Sequence, residues 1–382
     1  MKIGLFSFFS GAGFLDFGFE SLMDYQVLRV SEINNSFLDA YRYARKQLKI
    51  HEPVYGFNQE DIRDSIREKQ LMELKSCLAQ AKNDFEYVGF IGGPPCPDFS
   101  VGGKNRGREG DNGKLSETYA EMIVRTLPDF FLFENVKGLW KTKTHRMFFE
   151  ELKVRFTNAG YSLDERLVNA IEYGAPQDRE RIILIGMRND IVLKKANLLK
   201  QNGLQKKLTL NWQQSVLYPL DKVFTKNWPE ENQFIENRET ECPRGVIKKL
   251  TVQHWFEQNG VENHPNAKCC FKPRNALIRF QTIPEGDVSK KSFKRLHRWR
   301  YSPTAAYGNN EVHLHPYRAR RLSVAEALAI QSLPPTFLLP PEGVSLTDKF
   351  KMVGNGVPFL VAQGLAVMIK SFLGQSEINF NV

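Results

Sequence analysis

Cysteine is scarce in this chain of 382 residues: Cys77, Cys96, Cys242, Cys269 and Cys270 make five, an odd number with no regular framework. That argues against a disulfide scaffold and for a reducing compartment. Long apolar runs are missing as well. The stretch from Met1 to Phe9 runs into Ser10 and Gly11 without a small-residue cleavage site, and no membrane-length span follows. A soluble, intracellular protein with no membrane partner is expected. Repeats and low-complexity segments are also absent, which excludes solenoids and extended linkers. Positive charge, by contrast, is plentiful, with 53 Lys and Arg against 43 Asp and Glu and a formal charge of +10. This favours an anionic partner, although charge alone does not separate nucleic acid from a membrane surface.

The length suffices for one large globular domain plus a smaller one. Residues 2–8 (KIGLFSF) are predicted to form a buried strand that hands over to a helix at Ser10-Gly11-Ala12-Gly13. Further strands are expected at 27–31, 85–92, 130–134 and 182–187, with helices such as 37–49 and 148–159 between them. Strands alternating with helices mean an α/β fold with a mostly parallel sheet covered on both faces. From about 190 to 315 this alternation fades into a polar region rich in Lys and Asn, with scattered Trp residues, which reads as a second domain. Helical patterning returns at Val324–Gln331 and Phe359–Phe372, around a Pro-Pro break at 334–335.

Chemistry concentrates at predicted strand ends. Gly11 and Gly13 allow close approach of a ligand to backbone at a helix N-terminus, and Glu32, about twenty residues on, can accept hydrogen bonds from two ribose hydroxyls. Asp61 is placed to take a purine amino group. In Gly92-Gly93-Pro94-Pro95-Cys96-Pro97 a cysteine is held between prolines on a stiff loop, as a positioned nucleophile requires. Residues 101–114, rich in glycine and basic side chains, have the make-up of a mobile loop that closes over phosphates. Glu134 ends another apolar strand at the same sheet edge, where partial desolvation lets a carboxyl keep or share a proton. Gln177, Arg179 and Arg181 alternate into the next strand and point to one side.

In this order the segments FSGAGFLDFGFE, SEIN, QEDI, GGPPCPDFS, FENV, YGAPQDRER, RRLSVAEALAIQSLP and FKMVGNGVP resemble the DNA cytosine-5 methyltransferase family. The resemblance implies a Rossmann-like S-adenosylmethionine-dependent methyltransferase sheet with a smaller target-recognition domain. The catalytic domain would span 1–190, completed by 316–382, and the target-recognition domain 191–315. By similarity, Phe9, Gly11, Glu32, Asp61, Pro95, Leu115 and Asn355 line the S-adenosyl-L-methionine pocket, and Cys96, Glu134, Arg179 and Arg181 the cytosine pocket. Cys96 would add to carbon 6 of a flipped-out cytosine, Glu134 would bind ring nitrogen 3 and the exocyclic amine, and Arg181 would hold the 2-keto oxygen. Two features depart from the family pattern. Pro97 stands where Gln usually follows the nucleophile, removing a backbone donor, while Ser7 and Phe14 replace an acidic residue and a glycine in the first motif.

Basic residues near the end of the second region (Lys290, Lys291, Lys294, Arg295, Arg298, Arg300, beside Trp299) are expected to meet phosphates. Cys242, His254, His264, Cys269 and Cys270 match no regular zinc spacing, so no metal is expected. The partner implied is double-stranded DNA, with a cognate restriction endonuclease acting independently, and the enzyme is expected to be a monomer, cytoplasmic and nucleoid-associated through DNA. Three other readings fit parts of the sequence: a transfer RNA methyltransferase on the same scaffold, a catalytically silent DNA-binding protein, and a small-molecule or protein methyltransferase. Cys96, Glu134 and both arginines speak against the second, and the proline-flanked cysteine with the basic region against the third.

Overall fold

The computed structural model describes residues 1–95, 111–197, 208–273, 276–307 and 311–374. Cys96, Pro97 and residues 98–110, with all but the last four residues of the loop expected at 101–114, lie outside the described residues, and those last four open a helix instead. The strands are β1 (Ile3–Phe8), β2 (Tyr25–Glu32), β3 (Phe57–Gln59), β4 (Tyr87–Gly92), β5 (Phe130–Val136), β6 (Tyr161–Asn169), β7 (Gln177–Asp178), β8 (Glu180–Arg188) and β9 (Ser302–Pro303). The first helices are α1 (Phe14–Glu20), α2 (Asn35–Gln47), α3 (Ile62–Ser65), α4 (Glu68–Asp84), α5 (Asp111–Thr126), α6 (Lys137–Lys141), α7 (Lys143–Asn158) and α8 (Asn189–Asn197). Then come α9 (Leu220–Phe224), α10 (Val252–Gln258), α11 (Leu277–Thr282), α12 (Val324–Ile330), α13 (Leu346–Asn355) and α14 (Phe359–Leu373).

Seven strands form one sheet in the order β3-β2-β1-β4-β5-β8-β6, parallel from β3 to β5, with β8 antiparallel to both of its neighbours. Because β1 sits between β2 and β4, the chain winds away from it in both directions, and ligands of such sheets bind at the carboxyl ends beside this switch point. The register makes that edge level: Phe8 pairs with Ser31 and with Gly92, and Gly92 pairs with Phe133. Four chain segments therefore emerge side by side, beginning at Phe9, Glu32, Gly93 and Glu134.

Alternation along β1 separates two buried layers. Ile3 and Leu5 face α1, α2 and α14, while Phe6 and Phe8 face α4, α5 and α7. The approach of α1 to α14 is so close that a Cβ on Gly18 would overlap that of Ala362, and the Tyr25 hydroxyl donates to the Ala366 carbonyl at 2.8 Å. The C-terminal segment thus packs back on the first helix of the chain. By composition, Leu346–Leu373 is long and apolar enough to cross a membrane, which amends the expectation that no such span exists. Two thirds of its most apolar part is buried inside the protein, however, and α13 and α14 are separated by a break at Gly356-Val357-Pro358.

Between 208 and 315 the described residues form short helices, and β9 pairs only with β7. The basic cluster of this region divides. Lys290 and Lys291 are exposed, but Arg295 is fully buried, with Nε donating to the Ile283 carbonyl at 2.9 Å and further bonds to Phe280, His315 and Arg318. Arg298 is buried too, in an ion pair with Glu285 at 2.8 Å. These two arginines are spent inside the protein, a correction to the phosphate role expected for them: a guanidinium reaches several carbonyls at once, which suits a region with little sheet to satisfy its backbone.

Candidate functional site

On the first side of the sheet edge, three residues within five adopt left-handed backbone: Phe9 (φ 52°), Gly11 (φ 56°) and Gly13 (φ 84°). Such a turn is costly for residues with a Cβ and is stabilised by its surroundings. A Cβ on Gly13 would overlap the Tyr41 ring, whereas one on Gly11 would meet nothing within 4 Å. Gly11 therefore leaves open space in front of the main chain. Its N–H donates to Glu32 Oε2 at 2.9 Å, and Asn34 N–H donates to the other carboxylate oxygen at 3.0 Å. Burial pushes the Glu32 carboxyl up, and these main-chain N–H groups oppose that shift.

The remaining residues expected around a cofactor have different settings. Asp61 caps α3, accepting from Arg63 N–H at 2.9 Å, and the Arg63 guanidinium holds its carboxyl below the usual range. It is thus engaged rather than free. Phe9 is half-buried against the edge of Tyr119, at 5.9 Å between ring centroids, and Leu115 is half-buried in the second core layer. Pro95 is exposed, three residues after β4. Asn355 is exposed at the end of α13, brought to the start of α1 because Gly356 packs so tightly on Phe14 that a Cβ would overlap the ring.

On the second side, Glu134 is 7% exposed, and Arg181 Nε stands 2.8 Å from its Oε1. The antiparallel ladder brings them together by pairing Val136 with Arg181 and Glu134 with Ile183. Burial raises the Glu134 carboxyl, while the Arg181 and Arg179 guanidiniums pull it down. A Cβ on Gly93 would lie 2.6 Å from Glu134 Oε2. The loop leading to Cys96 therefore runs directly against this carboxylate. Asn135, a residue that sequence reasoning passed over, donates from Nδ2 to the Pro94 carbonyl at 3.3 Å and so anchors that loop. Its signal was only an amide beside the strand-ending glutamate.

Arg179 is buried differently from Arg181. Its guanidinium donates to the carbonyls of Ala305 (3.1 Å), Gly354 (2.8 Å) and Gly356 (3.1 Å), and its Nε is buried without a hydrogen-bond partner. Burial and the neighbouring Arg181 lower its affinity for a proton. Gln177 joins the same tie, its side-chain carbonyl accepting from Ala305 N–H at 2.9 Å. Gln177 and Arg179 thus share Ala305, while Arg181 turns to Glu134. Among the described residues, no group of three or more His, Cys, Asp or Glu side chains is arranged to hold a metal. Chemically, a buried carboxyl beside guanidiniums can bind an edge carrying both a donor and an acceptor, as an amidine does, and stabilise charge that develops on it.

The family model for C-5 cytosine-specific DNA methylase matches residues 3–371. The chain is 50% identical over 372 residues to the Type II methyltransferase M.NmeDI of Neisseria meningitidis serogroup C, covering 97% of this chain and 84% of that protein. It is 30% identical over 383 residues to the Type II methyltransferase M.MthTI of Methanothermobacter thermautotrophicus, covering 98% of each. In fold it is similar to a prophage-encoded E. coli protein described as a DNA modification methyltransferase (TM-score 0.62, 21% identity, 97% of this chain and 99% of that one). Dnmt2 methyltransferase of S. pombe also aligns, with a TM-score of 0.58 at 12% identity over 98% of each chain. A strand order that levels four loops at one edge, a buried Glu134–Arg181 pair and this family match agree: the chain belongs to the C-5 cytosine-specific DNA methylase family and is a DNA (cytosine-5-)-methyltransferase.

Proposed function

We propose that this enzyme methylates carbon 5 of a cytosine flipped out of a specific duplex sequence, using S-adenosyl-L-methionine and Cys96, as the modification activity of a restriction-modification system. The observation that carries this reading is the buried Glu134–Arg181 pair lying against the Gly93–Pro95 loop that leads into Cys96. The similarity to Type II methyltransferases supports the biological setting; a cognate endonuclease acting independently and a monomeric enzyme, which suffices for one strand at a time, are parts of the same proposal.

The cofactor pocket fits the group in question. Open space in front of Gly11 and a buried carboxylate at Glu32 suit a ligand with a ribose, and Phe9, Pro95 and Leu115 would supply apolar surface to it. Asp61 and Asn355 would complete the set. When bound, S-adenosyl-L-methionine supplies the methyl group that carbon 5 takes up. Carbon 5 is a poor nucleophile until a thiolate adds to carbon 6, so Cys96 makes the first bond and leaves when the carbon 5 proton is lost. Glu134 holds ring nitrogen 3 and the exocyclic amine while negative charge enters the ring, and Arg181 holds the 2-keto oxygen. Arg179 fixes the loops around the pocket. A stacked base is out of reach, so the target cytosine must leave the duplex stack. Residues 191–315 would act as the target-recognition domain.

The test is transfer of radiolabelled methyl to unmethylated plasmid DNA, with bulk transfer RNA in parallel, Cys96→Ser as control, and bisulfite sequencing of the product. Labelled DNA, lost in the variant and with methylcytosine at one repeated motif, is the expected result. Labelled RNA alone, or no label in either, overturns the reading.

A further inference from the structure

Beneath the Phe9–Gly13 turn lies a closed polar cluster that the reaction above does not use. Asp16, in the first turn of α1, is fully buried; its Oδ1 accepts from Ser7 Oγ at 2.8 Å and its Oδ2 from the Tyr41 hydroxyl at 2.9 Å. Ser7 comes from β1, two residues before Phe9, and Tyr41 comes from α2, where its ring fills the place a Cβ on Gly13 would take. One carboxyl therefore joins the strand that enters the turn, the helix that leaves it and the side chain on which it rests. Around it, Glu20 and Arg45 form their own ion pair at 2.6 Å, with Arg45 Nη1 also 3.4 Å from the Tyr41 hydroxyl. Burying a carboxyl in an apolar core is expensive, and burial pushes this one up to about 7. Residue 7, where the family's first motif usually carries an acid, is here a serine that points at a carboxyl arriving from the helix instead.

We propose that Asp16 is a positioning residue: by holding Ser7 and Tyr41 it fixes the Phe9–Gly13 turn in the shape that accepts the cofactor. This rests on the cofactor reading above. The carboxyl matters for where it sits between the two hydroxyls and not for which chain position supplies it. An exchange of the two side chains, Ser7→Asp with Asp16→Ser, therefore keeps the link.

The experiment measures binding of S-adenosyl-L-homocysteine by calorimetry to the wild type, D16S, D16N and the S7D/D16S exchange, with thermal unfolding of each and steady-state kinetics. Loss of a buried hydrogen-bonded carboxyl should weaken binding roughly tenfold in D16S, and the exchange should recover it to within about threefold of wild type. KM for the cofactor should rise in D16S, while kcat at saturation and KM for DNA stay near wild type. D16N, which keeps the shape, should bind nearly as well as wild type and serves if D16S does not fold. D16S binding as tightly as wild type, an exchange no better than D16S, or D16N as weak as D16S overturns the proposal. Failure of the wild type to bind S-adenosyl-L-homocysteine overturns the cofactor reading itself.

Discussion

Arg181 Nε stands 2.8 Å from Glu134 Oε1, each side chain placed by facing strands of one antiparallel ladder. The pair is largely buried, so its partners matter more than its net stability: removing one side leaves a buried charge uncompensated. Glu134→Gln keeps the shape while removing the ionisable group that is to meet ring nitrogen 3. We expect methyl transfer to fall by about a hundredfold or more, with DNA affinity and unfolding temperature close to wild type. Arg181→Ala should cost both activity and stability. Single-turnover transfer together with gel-shift affinity checks this. A Glu134→Gln enzyme with near wild-type turnover would remove Glu134 from the chemistry.

Arg179 is predicted to act through structure rather than through contact alone. Three carbonyls, from Ala305, Gly354 and Gly356, depend on its guanidinium, and each buried carbonyl left unpaired costs about 1–3 kcal/mol. A lysine has one nitrogen and cannot span them. Arg179→Lys should therefore lower the urea midpoint nearly as much as Arg179→Ala, without a matching change in the denaturant slope. Unchanged midpoints would mean that water replaces the guanidinium.

The strands that place the site were legible because they are buried on both faces and read as continuous apolar runs; the expected strand at 130–134 corresponds to β5 at Phe130–Val136 and that at 182–187 to β8. Strand β6 was not legible. It lies at the sheet edge, with its central Asp164, Glu165 and Arg166 half-exposed, so no apolar run announces it. Helix starts shifted for a local reason: α2 begins at Asn35 because the Asn34 side chain accepts from Ser36 N–H, two residues before the first apolar position. At the site, chemistry-bearing residues could be picked out at strand ends. The alternation at 177–181 was visible too, but not that Arg179 would spend its donors on carbonyls more than a hundred residues away. Likewise, spacing could not separate Arg295 and Arg298, buried, from Lys290 and Lys291, exposed, since only tertiary partners distinguish them.

Asp16 gives the fold a pH dependence with a definite sign. Its carboxyl is raised from 3.8 to about 7 in the folded protein, chiefly by burial. The folded state then binds a proton more tightly than the unfolded one, so this contribution is fully present below about pH 4 and is lost as pH rises through about 7. Asp16→Asn cannot titrate. Compared with Asp16→Asn, the wild type should lose unfolding temperature more steeply between pH 5 and pH 8. Parallel curves for the two proteins would show that Asp16 does not hold its proton near neutrality.

The division of the basic cluster predicts two separable phenotypes. Lys290 and Lys291 are exposed, with the Lys291 ammonium 3.7 Å from Glu311, so a Lys290→Ala/Lys291→Ala protein should fold normally; as the proposed phosphate contacts, their loss should leave DNA binding with a weaker salt dependence. The slope of log affinity against log salt should decrease in magnitude by about one for each phosphate that is no longer neutralised. Arg295 and Arg298 should behave in the opposite way. Their guanidiniums hold the carbonyls and the Glu285 carboxylate that pin residues 280–318 together, so Arg298→Ala leaves the Glu285 charge buried with only the main-chain N–H of residue 298 beside it. That change should lower stability by about 3–5 kcal/mol, with the salt slope of whatever protein remains folded unchanged. Titrating labelled duplex at several salt concentrations, beside urea unfolding of the same preparations, separates the two. A salt slope that falls in Arg298→Ala, but not in the double lysine variant, would place the phosphate-binding groups on the buried side of the cluster and overturn this assignment.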